Sequence, residues 1–361
     1  MVGNRRFLAG RTLQLTVRGL ALVHLVVQLL VFLPNHWKRT DRYRDVTYLY
    51  TAAQRVRSGQ PLYRPWPEYG PHVHTEMGPP YTYDRHPYPP PLASVLAPFS
   101  ALPFTSFARL WYFPVLAGFW GFAWTLARMA GRASGWSTLT AGLLLGIFPG
   151  TYRALSLGQI DPILWALFGL ALVLPAWRGA AFALSAAVKL YAGWPLLFAI
   201  GRERSRAFVP AAVVALGAVV VSGFMMGLDG FYSWGRHMLP VISQGTFNTD
   251  NVSLSFAGLR IARSLGWDYV PGPLPVPARI YLGLMGIAAP ITAGWLARKS
   301  RPEFQYAWVG AAAVLFAPLC WSSYLPLLLV LPALGLGVFL ESRNAGASGV
   351  TPENIPLQLL P

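Results

Sequence analysis

The sequence predicts an all-α polytopic membrane protein, and three observations carry that reading. First, 54% of the 361 residues are hydrophobic and only 12% are charged, against roughly 25% charged in soluble domains. Second, mean hydropathy is +0.43, and apolar runs recur at lengths near the ~20 residues that a spanning helix needs. Third, 29 Lys and Arg against 13 acids give a net charge of +16, yet the basic residues lie between the apolar runs. Membrane topology places them there, whereas a nucleic-acid binder gathers them on one face. Disorder, a coiled coil, an ordinary soluble enzyme and a nucleic-acid partner are thereby excluded. The single cysteine, Cys320, leaves no internal disulfide and no Cys-based metal centre.

Taken in order, Arg5, Arg6, Arg11 and Arg18 precede an apolar stretch from Gly19 to Leu33. Pro34-Asn35-His36-Trp37 offers no small-residue cleavage site, so this is an uncleaved first span with a cytoplasmic N-terminus. A polar segment over 34–104, rich in Tyr, Pro, Arg and His, forms the first outer loop. Further runs predict helices near 105–127, 136–151, 160–176, 207–226, 278–297, 304–319 and 324–340. Together they imply about 8–10 transmembrane helices in a single domain over 1–341, with a tail over 342–361 whose composition predicts disorder.

Arginines at 128, 132, 178, 202, 204, 206, 298, 301 and 343 mark the joints between runs. All fall on the cytoplasmic side only if the segment 179–200 enters and leaves on one face. Lys189 at its centre, followed by Gly193 and Pro195, suits two half-helices meeting at a polar apex that lines a cavity. The alternative is one ordinary span with a basic outer loop. The re-entrant reading gathers the loop 34–104, the turn 152–160, the loop 227–277 and the turn around Trp321 on the outer face. Nearly every polar cluster of the chain lies in these four segments.

In the first outer loop, Asp45 opens a stretch in which apolar residues recur at helical spacing from Val46 to Val56, with Gly59 as C-cap. It therefore stands in the first turn of an amphipathic helix along the membrane surface. A carboxylate there either stabilises the helix N-terminus or does chemistry, and both readings stand. Pro89-Pro90-Pro91 cannot continue a helix but can start one, here an apolar helix to about Leu102. His72, His74 and Glu76 would share one face of an extended strand and so have metal-ligand spacing, but no fourth ligand is evident. They are read as a polar loop, with no metal assigned. His24 is read as a helix contact. Walker, Rossmann and Asp-x-Asp patterns are absent.

The order of motifs resembles glycosyltransferase family 87, whose familiar members are mycobacterial phosphatidylinositol mannoside mannosyltransferases. Asp45 opens an aromatic-Ala-Ala helix, then come Gly59 and Pro61-Leu62-Tyr63, then Tyr88-Pro89-Pro90. Leu157-Gly158-Gln159-Ile160-Asp161 resembles that family's Gly-Gln-(Val/Ile)-(Asn/Asp) turn. Val188-Lys189-Leu190 with Pro195, Asn251-Val252-Ser253-Leu254, and Pro318 to Tyr324 resemble its later motifs. Two departures stand out. Ser323 replaces a histidine after the tryptophan, leaving any role of that histidine absent or filled otherwise, and Val252 replaces a glutamine.

The resemblance implies a GT-C-type fold. It also implies transfer of a hexose, with mannose expected, from a polyprenyl-phosphate sugar to a lipid or glycan acceptor, with inversion and no cofactor. Asp45 is then the general base, since inverting transfer with a phosphate leaving group needs one carboxylate. Asp161 and Asp250 are rival bases. Lys189, with Arg85 and Arg153 behind it, is expected to hold the donor phosphate. Tyr48, Tyr83, Gln159, Asn251 and Trp321 are expected to hold the sugar or the acceptor. The excess of basic residues in the outer loop also points to anionic membrane lipids as partners. A transporter or flippase of lipid-linked sugars is the alternative, but it should show repeat symmetry and polar residues through the full membrane depth. This sequence shows neither.

Overall fold

Apolar runs become helices almost run for run, and prolines decide where they stop. The computed structural model describes residues 2–28, 30, 44–63, 86–131, 134–243, 251–265 and 274–347. Among them every regular element is helical, and one isolated antiparallel bridge joins Asn251 to Trp321. In chain order α1 spans Val2–Val27, α2 Arg44–Arg57, α3 Pro90–Leu96 and α4 Phe104–Met129. Then α5 spans Gly135–Gly146, α6 Pro149–Leu157, α7 Asp161–Val173, α8 Arg178–Val188 and α9 Gly193–Glu203. Next come α10 (Ser205–Met226), α11 (Leu254–Ser264), α12 (Val276–Leu296) and α13 (Pro302–Leu315). A 3₁₀ stretch, Ser322–Leu329, leads into α14, Val330–Ala347.

Among the described residues four stretches are long and apolar enough to cross a membrane: Phe104–Met129, Ser205–Met226, Val276–Lys299 and Ser322–Asn344. The chain is thus a polytopic, all-α membrane protein. The other expected spans are realised as shorter apolar helices. The run near 136–151 is cut ahead of Pro149, the run 160–176 stops at Val173 before Pro175, and the run 304–319 ends at Leu315 before Pro318. In each case proline bars the residue before it from helical backbone. At the C-terminus α14 continues to Ala347, beyond the expected tail boundary at 341, and Arg301 tethers it through Glu341 at 3.0 Å.

The centre of the molecule is the α4–α7 pair. A Cβ on Gly118 would lie 2.6 Å from the Ile163 backbone nitrogen, and one on Gly169 2.1 Å from Thr125 Oγ1. These glycines let the two backbones approach closely, which matters in lipid because helix association there rests on packing rather than on exclusion of water. Around the contact Phe119, Phe122, Trp165, Phe168 and Phe182 are fully buried, and Phe168 meets Phe182 edge-on at 5.4 Å. The apolar stretch of α4 is 56% buried, whereas that of α10 is only 11% buried, with Phe224, Val213 and Leu216 facing outward. α4 is therefore a core helix, and α10 presents a lipid-type surface.

The segment 178–203 turns back on itself. α8 and α9 meet at Lys189, whose backbone is extended (φ −139°, ψ 117°). At the other end the Arg178 guanidinium, at the start of α8, is ion-paired to Glu203 at the end of α9. The two ends of the hairpin lie together, and the apex carries the lysine.

Candidate functional site

Three chain turns converge on the hairpin apex. Lys189 Nζ pairs with Asp161 Oδ1 at 2.5 Å and stands 4.0 Å over the Tyr324 ring and 5.5 Å from that of Tyr88. Asp161 opens α7 ahead of Pro162, so the N-terminal end of the helix dipole also favours its negative charge. Its second oxygen, Oδ2, accepts a hydrogen bond from Ser323 Oγ at 3.0 Å. Asp161 is 1% exposed and both of its oxygens are engaged.

Asp45 reaches the same place from the first turn of α2. Val46, Leu49 and Ala53 of that helix join the main core, while Ala52 and Val56 pack with Ala93 and Ala97. α2 is clasped on two sides rather than resting on a surface. Gly59 follows with φ +66°, as a helix stop requires. The Asp45 carboxyl lies within interaction range of Asp161, Lys189 and Arg153, and the side chain of Gln159 donates a hydrogen bond to it. Burial has the largest effect and pushes the carboxyl up from its ordinary value of 3.8 to about 6; the Gln159 bond and the two cations pull the other way, while Asp161 adds to the rise. The residue as a whole is half-buried.

Gln159 is set rigidly. α6 ends on Gly158 in the left-handed conformation (φ +65°), and Gln159 N donates to Ala154 O at 2.9 Å. Trp111 Nε1 donates to Gly158 O at 2.8 Å and fixes the turn from the α4 side. A Cβ on Gly150 would lie 2.0 Å from Ser322 O, which shows how closely α6 packs on the turn bearing Ser323 and Tyr324. Arg153 sits on α6, and Gln159 lies in the turn that follows this short helix.

Asn251 is fully buried and spans two loops. Its Nδ2 donates to Pro318 O at 3.1 Å, and its Oδ1 accepts from Cys320 N at 2.9 Å and Ser253 N at 3.3 Å. Expected as a sugar contact, its amide is committed to backbone at both ends, and it holds the turn that presents Trp321 and Ser323. Val252 N donates to Cys320 O at 2.7 Å and extends the same brace. Trp321 itself is half-buried. Tyr48 lies one turn of α2 beyond Asp45, near Tyr88. Burial, with Asp45 and Asp161 adding to it, holds the Tyr88 phenol far above its ordinary value, so it is a neutral hydroxyl. Behind it His86 is 1% exposed, and burial pushes it down to about 3.

Arg85, Tyr83, the rival base Asp250, and His72, His74 and Glu76 lie outside the described residues. Among the described residues no group of three His, Cys, Asp or Glu side chains could hold a metal. His24 is a helix contact: it bonds Gln28 at 3.0 Å and fills the space over Gly146. Sequence reasoning missed Tyr191, whose ring lies 5.5 Å from that of Tyr324, and Ser323, which bonds Asp161, as site residues. The tyrosines 88, 191 and 324 stand in the recognised motifs, but nothing in those motifs says that Tyr88 and Tyr324 face the lysine.

One family model, that of glycosyltransferase family 87, matches residues 86–322, well over half of the chain. No curated protein and no solved structure matches.

Proposed function

The chain belongs to glycosyltransferase family 87, and from that membership and the site geometry we propose the following reaction. It transfers a hexose, mannose by resemblance, from a polyprenyl-phosphate sugar to a lipid or glycan acceptor, with inversion and with Asp45 as general base. The site then faces the outer side of the cell membrane and the N-terminus the cytoplasm, which is the orientation the arginine distribution favours.

One observation carries the choice of base. Two carboxylates share the site, and Asp161 has both oxygens occupied by Lys189 and Ser323, whereas Asp45 forms no ion pair among the described residues and takes a hydrogen bond from Gln159. The acceptor hydroxyl gives its proton to Asp45 as its oxygen bonds to the anomeric carbon; the bond from that carbon to the phosphate oxygen breaks, and its electron pair leaves with the lipid phosphate. A carboxyl near 6 is ionised at neutral pH yet basic enough to take the proton. Lys189, steadied by Asp161 and Tyr324, and Arg153 supply positive charge for the departing phosphate. Tyr88, Tyr48 and Trp321 offer aromatic and hydroxyl surface for the sugar. Asp45 lies upstream of the range matched by the family, and its contact with Gln159 joins it to that range. Outer-loop arginines and lysines would draw anionic headgroups and the phosphorylated donor to this face.

The test is transfer from labelled polyprenyl-phosphate mannose by membranes containing Asp45→Asn. Transfer should drop by about 10³-fold, within the range for loss of a general base, with donor binding retained. Undiminished transfer would remove Asp45 from the mechanism.

A further inference from the structure

Away from the hairpin apex, a cavity of about 220 Å³ opens where the ends of α4, α7 and α14 meet the start of α13. Arg128 stands in the last turn of the spanning stretch Phe104–Met129, and Glu341 lies near the end of the stretch Ser322–Asn344. The cavity therefore opens at the level where spanning helices leave the apolar layer. Glu303 is part of its wall and bonds Arg178, which puts the cavity on the side of the hairpin's closed end. A Cβ on Gly337 would lie 2.1 Å from Met129 O, so α14 is pressed onto the end of α4 and backbone contact fixes this wall.

The lining is of two kinds. Met129, Leu172, Phe304, Leu334 and Val338 are apolar, and four charged side chains stand among them. The two acids are already matched within the protein: Glu303 pairs with Arg178 at 2.7 Å and Glu341 with Arg301 at 3.0 Å. Arg301 uses only Nη2 for that bond, and its Nε and Nη1 make no hydrogen bond among the described residues. Arg128 is exposed, with its guanidinium 5.5 Å from the centre of the Trp124 ring, and forms no ion pair or side-chain hydrogen bond among the described residues. The cavity is thus left with one positive charge that has no counter-charge, a second guanidinium with spare donors, and an apolar wall. A phosphodiester carries one negative charge and offers several acceptor oxygens, which suit guanidinium donors. Hydrocarbon attached to it would cover the apolar wall. The volume lies below the roughly 300–1,000 Å³ of ordinary small-molecule sites, so it takes a headgroup and its adjoining methylenes but not a whole nucleotide.

We propose that this cavity is a binding site for a single glycerophospholipid, whose phosphodiester sits between Arg128 and the spare donors of Arg301 and whose first methylenes lie on Leu172, Leu334 and Val338. The site is separate from the one that holds Asp45 and Lys189, and it stands whether or not the proposed transfer does.

The test is native mass spectrometry of delipidated protein in detergent, titrated with dioleoyl phosphatidylglycerol. Wild type should take up one molecule in a saturable first step. Dioleoylglycerol, which lacks the phosphate, should give no such step, and a large excess of inorganic phosphate should not displace the lipid. Arg128→Met removes the unmatched cation and should weaken the first step by about 10-fold, as expected for one charge-assisted hydrogen bond. Because Arg128 is exposed, the lipid-free variant should unfold at the same temperature as wild type. Val338→Trp fills the cavity and should abolish the saturable step. An equal first step in wild type and both variants would overturn the proposal, as would equal uptake of dioleoylglycerol. Displacement by inorganic phosphate would show a site for a free anion, and a graded series of weak adducts would show only a lipid annulus; either result would also overturn it.

Discussion

The two ends of the α8–α9 hairpin each bury an ion pair, and they differ in what is left over. At the closed end the Arg178 guanidinium donates to Ala171 O at 2.8 Å, pairs with Glu203 and with Glu303 at 2.7 Å, and lies 5.1 Å from the Tyr306 ring centre. Tyr306 in turn donates to Glu203 at 2.9 Å. The network is closed on itself and ties α8, α9 and α13 together. At the apex the Lys189–Asp161 pair is equally well made, but beside it stand a second carboxyl, Asp45, raised by burial, and an amide oxygen, Gln159 Oε1, with no partner. Buried charge alone therefore does not mark a functional site. Hydrogen-bonding capacity left unmet next to that charge does.

The contrast can be broken at the closed end first. Arg178→Met leaves Glu203 and Glu303 without their cation, and removal of one partner from a buried network costs about 3–5 kcal/mol. Thermal unfolding in detergent should show that loss, while the protein that remains folded at low temperature retains most of its transfer activity. Abolished transfer in folded Arg178→Met would mean that the clamp sets the apex, and the distinction between the ends would fail.

Asp45→Asn should show the opposite pattern, with activity lost and stability gained. The folded protein holds the carboxyl at about 6 instead of 3.8, so ionised Asp45 is disfavoured in the folded state by up to about 3 kcal/mol. With a raised acid the sign is fixed: the cost is absent below about pH 4, grows from there to about 6, and is complete above it. The variant should therefore unfold at a higher temperature than wild type at pH 7.5, and the gap should shrink steadily as the pH is lowered to 5. An equal gap at both values would mean that Asp45 is not the group responsible.

How much of this was readable in the sequence differs between fold and site. Helix positions were legible because apolar runs set them, but the expected runs 136–151, 160–176 and 304–319 were carried through Pro149, Pro175 and Pro318, ahead of which the helices stop. The break at Lys189 was legible because a lysine followed by Gly193 and Pro195 has no comfortable place in one continuous apolar helix. Arg178 was legible only as a topology marker, and its clamp depends on Glu203 and Glu303, one of them 125 residues away. Asp161 stood as a rival base because a pairing across 28 residues to Lys189 is decided by how α7 and α8 pack, not by either motif. Asn251 looked like a ligand contact because a loop asparagine reads the same whether it binds a sugar or a backbone. Ser323, read as a departure, turns out to donate to Asp161.

The pH dependence of single-turnover transfer, from pH 5 to 8 with donor saturating, tests the role of Asp45 most directly. If its carboxylate is the base, the rate rises with pH along a limb of unit slope and levels off above a midpoint near 6. A rate that stays flat across that range would contradict it.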